Sequence, residues 1–75
     1  MKIYKWMDEA ESAIREHFQN RDRARAIKGR VYVKKTFVDI LPTGDMVYSF
    51  SHKGEMVTAT QCAYDVKVNY EVRNV

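Results

Sequence analysis

Cysteine, proline and glycine are scarce in this sequence. Its 75 residues include one cysteine (Cys62), one proline and three glycines. A single thiol can form neither a disulfide within the chain nor a cysteine-based zinc site, so disulfide-stabilised and zinc-finger domains are excluded. A chain this poor in proline and glycine, and 45% hydrophobic, is neither collagen-like nor disordered. We expect one domain, residues 1–75, in a reducing, cytoplasmic compartment.

Long hydrophobic runs are also absent. No stretch approaches the ~18 consecutive apolar residues that a membrane-spanning helix requires. Asp8 interrupts the N-terminal segment before the apolar core of a signal peptide could form. The sequence therefore predicts no membrane association.

Motifs that carry chemistry are missing as well. His17, His52 and Cys62 could in principle transfer protons or act as nucleophiles, but no catalytic or metal-ligand spacing surrounds them. The three glycines are isolated, so no glycine-rich loop could cradle a phosphate. We predict no enzyme activity, no catalytic residue, no metal and no cofactor.

The first segment has the period of an amphipathic helix. Apolar residues recur at spacings of three and four: Ile3, Met7, Ala10, Ile14 and Phe18. Asp8 and Glu11 have the spacing of a capping box, and Gly29 suits a helix end, so the prediction is a helix over about 8–28. A break near Gln19-Asn20 is the alternative, because cations occupy the stripe beyond that point.

From residue 30 onward the period changes to two, which is typical of half-buried strands. Four strands are predicted, at about 30–41, 45–52, 55–61 and 63–73. Alternation fails around Lys34-Lys35, where we expect a β-bulge. The last strand alternates most clearly, and its apolar face should pack on the helix stripe. That face consists of Tyr64, Val66, Val68, Tyr70 and Val72.

These elements predict an α+β fold. The N-terminal helix packs on a four-stranded antiparallel meander, which is either open or curled into a small barrel. The first strand is apolar on both faces, and the last strand is expected to be an exposed edge. Because such surfaces need cover, the sequence predicts a homodimer that pairs through the last strand or through the outer face of the sheet.

Positive charge is concentrated in one part of the chain. Residues 15–35 contain eight cations against two acids, a net charge of +6, whereas the whole chain carries only +3. Guanidinium groups match phosphate bidentately, so we expect an anionic partner for this segment. The predicted partner-binding residues are Arg21, Arg23, Arg25, Lys28, Arg30, Lys34 and Lys35.

Two functions fit this charge pattern. The first is a non-enzymatic binder of the nucleic-acid backbone, which would have little sequence specificity because no known recognition motif is present. The alternative is a protein-interaction module or small inhibitor, for example a phage-type accessory protein, that docks on an acidic or nucleic-acid-binding surface of a larger protein.

Overall fold

One α-helix lies against a five-stranded antiparallel sheet in the computed structural model, which describes residues 1–74 apart from the side chains of Val72 and Asn74. The strands are ordered β1-β5-β4-β3-β2, and the sheet is open. The elements along the chain are β1 (Lys2–Tyr4), α1 (Met7–Ala24), β2 (Lys34–Ile40), β3 (Met46–His52), β4 (Glu55–Gln61) and β5 (Val66–Asn74).

The predicted α+β class is confirmed, but the number of strands is wrong, and the sheet is not a barrel. The additional strand is β1, which pairs with β5 through Lys2 opposite Val68 and Tyr4 opposite Val66. Ile3, predicted to belong to the helix stripe, lies in this strand and is 59% exposed. Because β1 covers one side of β5, the last strand is interior and the two sheet edges are β1 and β2.

The helix begins at Met7 rather than at a capping Asp8. Trp6 occupies the N-cap without a side-chain hydrogen bond, and its carbonyl accepts from the amide of Ala10. Asp8 and Glu9 instead lie in the first turn, where negative charge is favoured by the helix dipole.

The helix continues through Gln19-Asn20 without a break, and it ends before Gly29. The Ile27 amide donates to the carbonyl of Asp22 at 2.8 Å, and the Ala26 amide donates to that of Arg23 at 3.0 Å. This pair of bonds is a Schellman motif, which requires a left-handed residue between helix and loop. Ala26 takes that conformation, with φ of 57°, so the predicted end at residue 28 is wrong.

The predicted contact between helix and last strand is confirmed. Ala10, Ile14 and Phe18 of α1 are buried together with Val66 and Val68 of β5. The core is completed from β3 and β4 by Phe50, Val57 and Ala59. Met7 and Tyr70 pack against this core as half-buried side chains.

One member of the predicted apolar face of β5, Tyr64, is not part of that core. Tyr64 precedes β5, in a turn closed by the bond from the Cys62 amide to the Asp65 carbonyl, and it is 94% exposed. The side chain of Val72 lies outside the described residues.

The other strand boundaries follow the local turns. The predicted strand 55–61 matches β4, and 45–52 matches β3 apart from its first residue. The predicted strand 30–41 is shorter in the structure, because residues 30–33 form a loop. The bulge in β2 lies at Val38 rather than at Lys34-Lys35, since the pairing with β3 shifts between Phe37 and Asp39.

The sheet face opposite α1 is polar. One row of residues crosses four strands there: Thr36, Ser49, Thr58 and Asn69. Lys67 and Arg73 lie exposed on the same face. All seven residues of the edge strand β2 are exposed as well, including Phe37, Val38 and Ile40.

Candidate functional site

The structure divides the seven predicted cations into two groups. Arg21, Arg25 and Lys35 each form an ion pair with a glutamate. The other four are exposed, and no ion pair involves them among the residues that the structure describes: Arg23, Lys28, Arg30 and Lys34. The second group keeps its charge available for a partner.

Glu55 at the start of β4 accounts for two of the paired cations. Arg21 Nε donates a hydrogen bond of 2.8 Å to its Oε2, and Arg25 bonds to its Oε1. The bond from Arg25, assisted by Arg21, lowers the pKa of the Glu55 carboxyl, although burial alone would raise it. These two arginines therefore tie the end of α1 to the sheet rather than serving an external anion.

Lys35 pairs with Glu11, in the N-terminal half of α1. Its ammonium lies 2.7 Å from a carboxylate oxygen of Glu11 and 4.7 Å from the ring centroid of Tyr48. The distance to the ring is short enough for a cation–π contact. Lys35 thus connects α1 to the β2–β3 hairpin.

A buried histidine organises the loop between α1 and β2. His52 Nε2 lies 2.8 Å from Oδ2 of Asp22, and its Nδ1 lies 3.0 Å from the carbonyl oxygen of Tyr32. The hydrogen bond with His52 is the largest cause of a lowered pKa at Asp22. Both ring nitrogens of His52 are occupied by protein acceptors inside the fold, so the pair holds α1, β3 and the loop together.

The bond from His52 holds the backbone of Tyr32 while leaving its ring in solvent. Val31 and Val33 pack half-buried against the core on either side, so the intervening side chain points outward. The Tyr32 side chain is 73% exposed. It is an aromatic ring presented from an anchored backbone.

Tyr32 borders two open clefts with cationic walls. The first, of about 480 Å³, is lined by Arg15, Gln19, Gly29, Arg30, Val31 and Tyr32. The second, of about 280 Å³, is lined by Tyr32, Lys34, Ser51, His52, Lys53 and Gly54. Four cations therefore line the clefts that Tyr32 borders, two in each cleft. We refer to Tyr32, Arg15, Arg30, Lys34 and Lys53 together as the Tyr32 surface.

Two members of the Tyr32 surface were missed by the sequence-based prediction. Arg15 is on the helix, one turn before Gln19, and Lys53 occupies a turn between β3 and β4. Neither belongs to the run from Arg21 to Lys35, and only the fold brings them beside Arg30 and Lys34. For Arg15 the available signals were its place in the basic segment 15–35 and its position on the polar side of the helix stripe.

Another polar cluster is closed to solvent partners. The hydroxyls of Tyr4 and Tyr70 are 2.6 Å apart, and the His17 ring lies 4.9 Å from that of Tyr70. Burial raises the pKa of Tyr70, and burial followed by the charge of Arg21 lowers that of His17. The cluster joins β1, α1 and β5.

The opposite end of the molecule is apolar. Phe37, Ile40 and Leu41 are exposed near the tip of the β2–β3 hairpin, and Trp6 and Tyr64 line a separate cleft of about 280 Å³. This end carries no concentration of cations comparable with the Tyr32 surface.

Among residues 1–74, no three ligand-type side chains are grouped so as to hold a metal ion. Over the same residues, α1 is too polar to cross a bilayer. Burial raises the pKa of the Cys62 thiol, which lowers its reactivity as a nucleophile.

Comparison of the chain with models of protein families, with curated proteins and with solved structures finds no match.

Proposed function

We propose that this chain is a non-enzymatic binding protein whose Tyr32 surface contacts the backbone of nucleic acid. The observation that carries the proposal is the placement of Arg15 and Arg30 in one cleft, and of Lys34 and Lys53 in a second cleft, with the exposed Tyr32 bordering both. Arginine binds phosphate through two parallel hydrogen bonds and lysine as a point charge, so both cleft walls suit a polyanion.

The distribution of the remaining charges supports this choice. The acidic residues nearest to the surface, Asp22 and Glu11, already bond to His52 and Lys35. The ammonium of Lys53 lies 3.8 Å from Oδ2 of Asp22, farther than the 2.8 Å between that oxygen and His52 Nε2. The Lys53 side chain is 48% exposed. An incoming phosphate would therefore meet cations whose competing carboxylates are occupied.

The nearby histidine does not favour an enzyme. His52 and Asp22 have the composition of a catalytic pair, but their side chains are only 5% and 9% exposed, and the second ring nitrogen bonds to the Tyr32 carbonyl. Their geometry serves to position the loop. A cytoplasmic location, expected from the single Cys62, is part of the same proposal.

The test is the affinity for a fluorescent oligonucleotide at several salt concentrations. Binding by the four cations of the Tyr32 surface predicts a slope of log affinity against log salt of about −3 for single strands and somewhat steeper for duplex. Arg15→Glu combined with Arg30→Glu should abolish binding. Lys5→Glu with Lys67→Glu makes the same change in net charge at exposed residues outside both clefts and should leave most of the affinity.

If the two double variants lose the same affinity for the oligonucleotide, only net charge matters, and a localised site is contradicted. An absence of binding by the parent protein would reject the proposal. Circular dichroism must show that each variant is folded, as expected for substitutions of exposed side chains.

The alternative function, docking on another protein, is favoured by a different observation. Phe37, Val38 and Ile40 of the edge strand β2 are each more than half exposed. Exposed apolar groups of this kind are common in protein interfaces. If Phe37→Glu abolishes capture of a partner from the host while the arginine variants do not, the inhibitor or interaction-module function replaces the first.

A further inference from the structure

We infer that Tyr32 is a base-stacking position and that the Tyr32 surface therefore selects single-stranded nucleic acid over duplex. The inference rests on the proposed function and names the form of nucleic acid that the same surface accepts. It depends on the ring itself, whereas phosphate binding depends on the surrounding cations.

The first step concerns how the ring is presented. The backbone carbonyl of Tyr32 accepts a hydrogen bond of 3.0 Å from the buried His52, and the neighbouring residues Val31 and Val33 pack against the core. The ring nevertheless remains 73% exposed. A platform fixed in this way loses little conformational freedom when a flat ligand stacks on it.

The second step concerns the order of the groups across the surface. Arg15 and Arg30 line one cleft, Lys34 and Lys53 line a second cleft, and Tyr32 is the residue that both clefts share. A strand crossing the ring can therefore place phosphates against cations before and after the stacked base. Alternation of cations and aromatic rings along a groove is the arrangement by which proteins hold single strands.

The third step excludes the duplex. In a double helix each base is already stacked on its neighbours and paired with its complement, so its face is not available to a protein side chain. A duplex can use the four cations but not the ring. The energy of stacking is then gained by single strands alone.

The volume of the larger cleft is consistent with this assignment. Its 480 Å³ falls within the range of about 300–1,000 Å³ for clefts that hold small organic ligands. Gln19 adds an amide to its wall, which can donate to or accept from the edge of a base or a sugar hydroxyl.

The experiment compares Tyr32→Ala, Tyr32→Phe and Tyr64→Ala. Each is titrated with a labelled oligothymidine of about 12 nucleotides and with a duplex of the same length, at one fixed salt concentration. Tyr64 is a matched control because it is also a tyrosine, is 94% exposed and lies outside both clefts.

We expect Tyr32→Ala to weaken binding of the single strand by about 5- to 150-fold and to change duplex binding by less than about 3-fold. Tyr32→Phe keeps the ring and should stay close to the parent protein, as should Tyr64→Ala. An unchanged single-strand affinity in Tyr32→Ala would overturn the inference, and so would an equal loss for the duplex.

Failure of the inference can be separated from failure of the proposed function. If the parent binds both nucleic acids through Arg15 and Arg30 but Tyr32→Ala changes nothing, only the stacking inference is wrong. If the parent binds neither, both are wrong. If Tyr32→Phe loses as much affinity as Tyr32→Ala, the hydroxyl rather than the ring is responsible, and stacking is again rejected.

Discussion

Replacing Val68 with aspartate should unfold this domain. Val68 is fully buried on β5, opposite Ala59, beneath the helix residues Ile14 and Phe18. Removing the valine forfeits about 1.5–3 kcal/mol of apolar burial. The carboxylate that replaces it has no cationic partner in this apolar core, which adds about 3–5 kcal/mol.

This loss is comparable with the whole stability of a chain of this size. At about 0.05–0.15 kcal/mol per residue, 75 residues give roughly 4–11 kcal/mol. Val68→Asp should therefore be largely unfolded at room temperature by circular dichroism. Val68→Ala, a milder change, should cost about 2 kcal/mol and lower the melting temperature by about 10 °C.

Lys67→Asp provides the matched control. Lys67 is the adjacent residue of the same strand, but it is exposed on the opposite face of the sheet. An aspartate at this exposed position should change the free energy of unfolding by less than about 0.5 kcal/mol. If Val68→Asp melts like the parent, or if Lys67→Asp is equally destabilised, the assignment of faces in β5 is wrong.

Three further predictions concern the helix end, acid stability and association. Ala26→Gly should raise the melting temperature by about 4–8 °C, because glycine adopts the left-handed φ of this residue without steric cost, and an unchanged or lower value would contradict this explanation. The folded-state pKa values of Asp22 and Glu55 lie below their ordinary values, so their stabilising effect is complete above about pH 5 and is lost as the pH falls through the folded pKa values. The free energy of unfolding in urea should therefore fall less between about pH 7 and about pH 3 for Glu55→Gln than for the parent. An equal fall in the two proteins would refute the role of this carboxylate. A homodimer stays a prediction, but β5 is interior and cannot pair edge to edge, so the interface proposed now is the exposed apolar part of β2. Phe37→Glu should dissociate the dimer, and sedimentation of the parent at micromolar concentration as only an 8.8 kDa species would exclude it.

The parts of the fold that the sequence predicts correctly are those determined by burial. The spacing of Ala10, Ile14 and Phe18 and the alternation of Val66 and Val68 both reflect one face turned to the core, and these faces meet as expected. Such patterns need several residues to become visible. A three-residue strand such as β1 contains too few, so Ile3 was assigned to the helix stripe.

The helix end shows a second limit. Glycine is the residue most tolerant of a left-handed conformation, yet the chain adopts that conformation at Ala26, where hydrogen bonds to the carbonyls of Asp22 and Arg23 complete the motif. Residue preference predicted that a stop occurs in this segment. The helix ends at Ala24, just after Asp22, whose carboxylate bonds to His52, 30 residues away in sequence.

The candidate site was predictable only as an excess of positive charge. Which cations stay available depends on partners distant in sequence: Arg21 and Arg25 bond to Glu55, 34 and 30 residues away. The recruitment of Arg15 and Lys53 to Tyr32 depends on the fold in the same way. Local sequence carries no information on these distances.

The pairing of β1 with β5 has a consequence for how the protein folds. The hydroxyls of Tyr4 and Tyr70 meet across 66 residues of chain, nearly the longest loop that this domain could close. During synthesis α1 emerges early, and its apolar face has no partner until β4 and β5 have been made. Folding should therefore be completed in one late step, slower than that of a helical bundle of equal size, and the uncovered helix would be a natural client for chaperones in the interval.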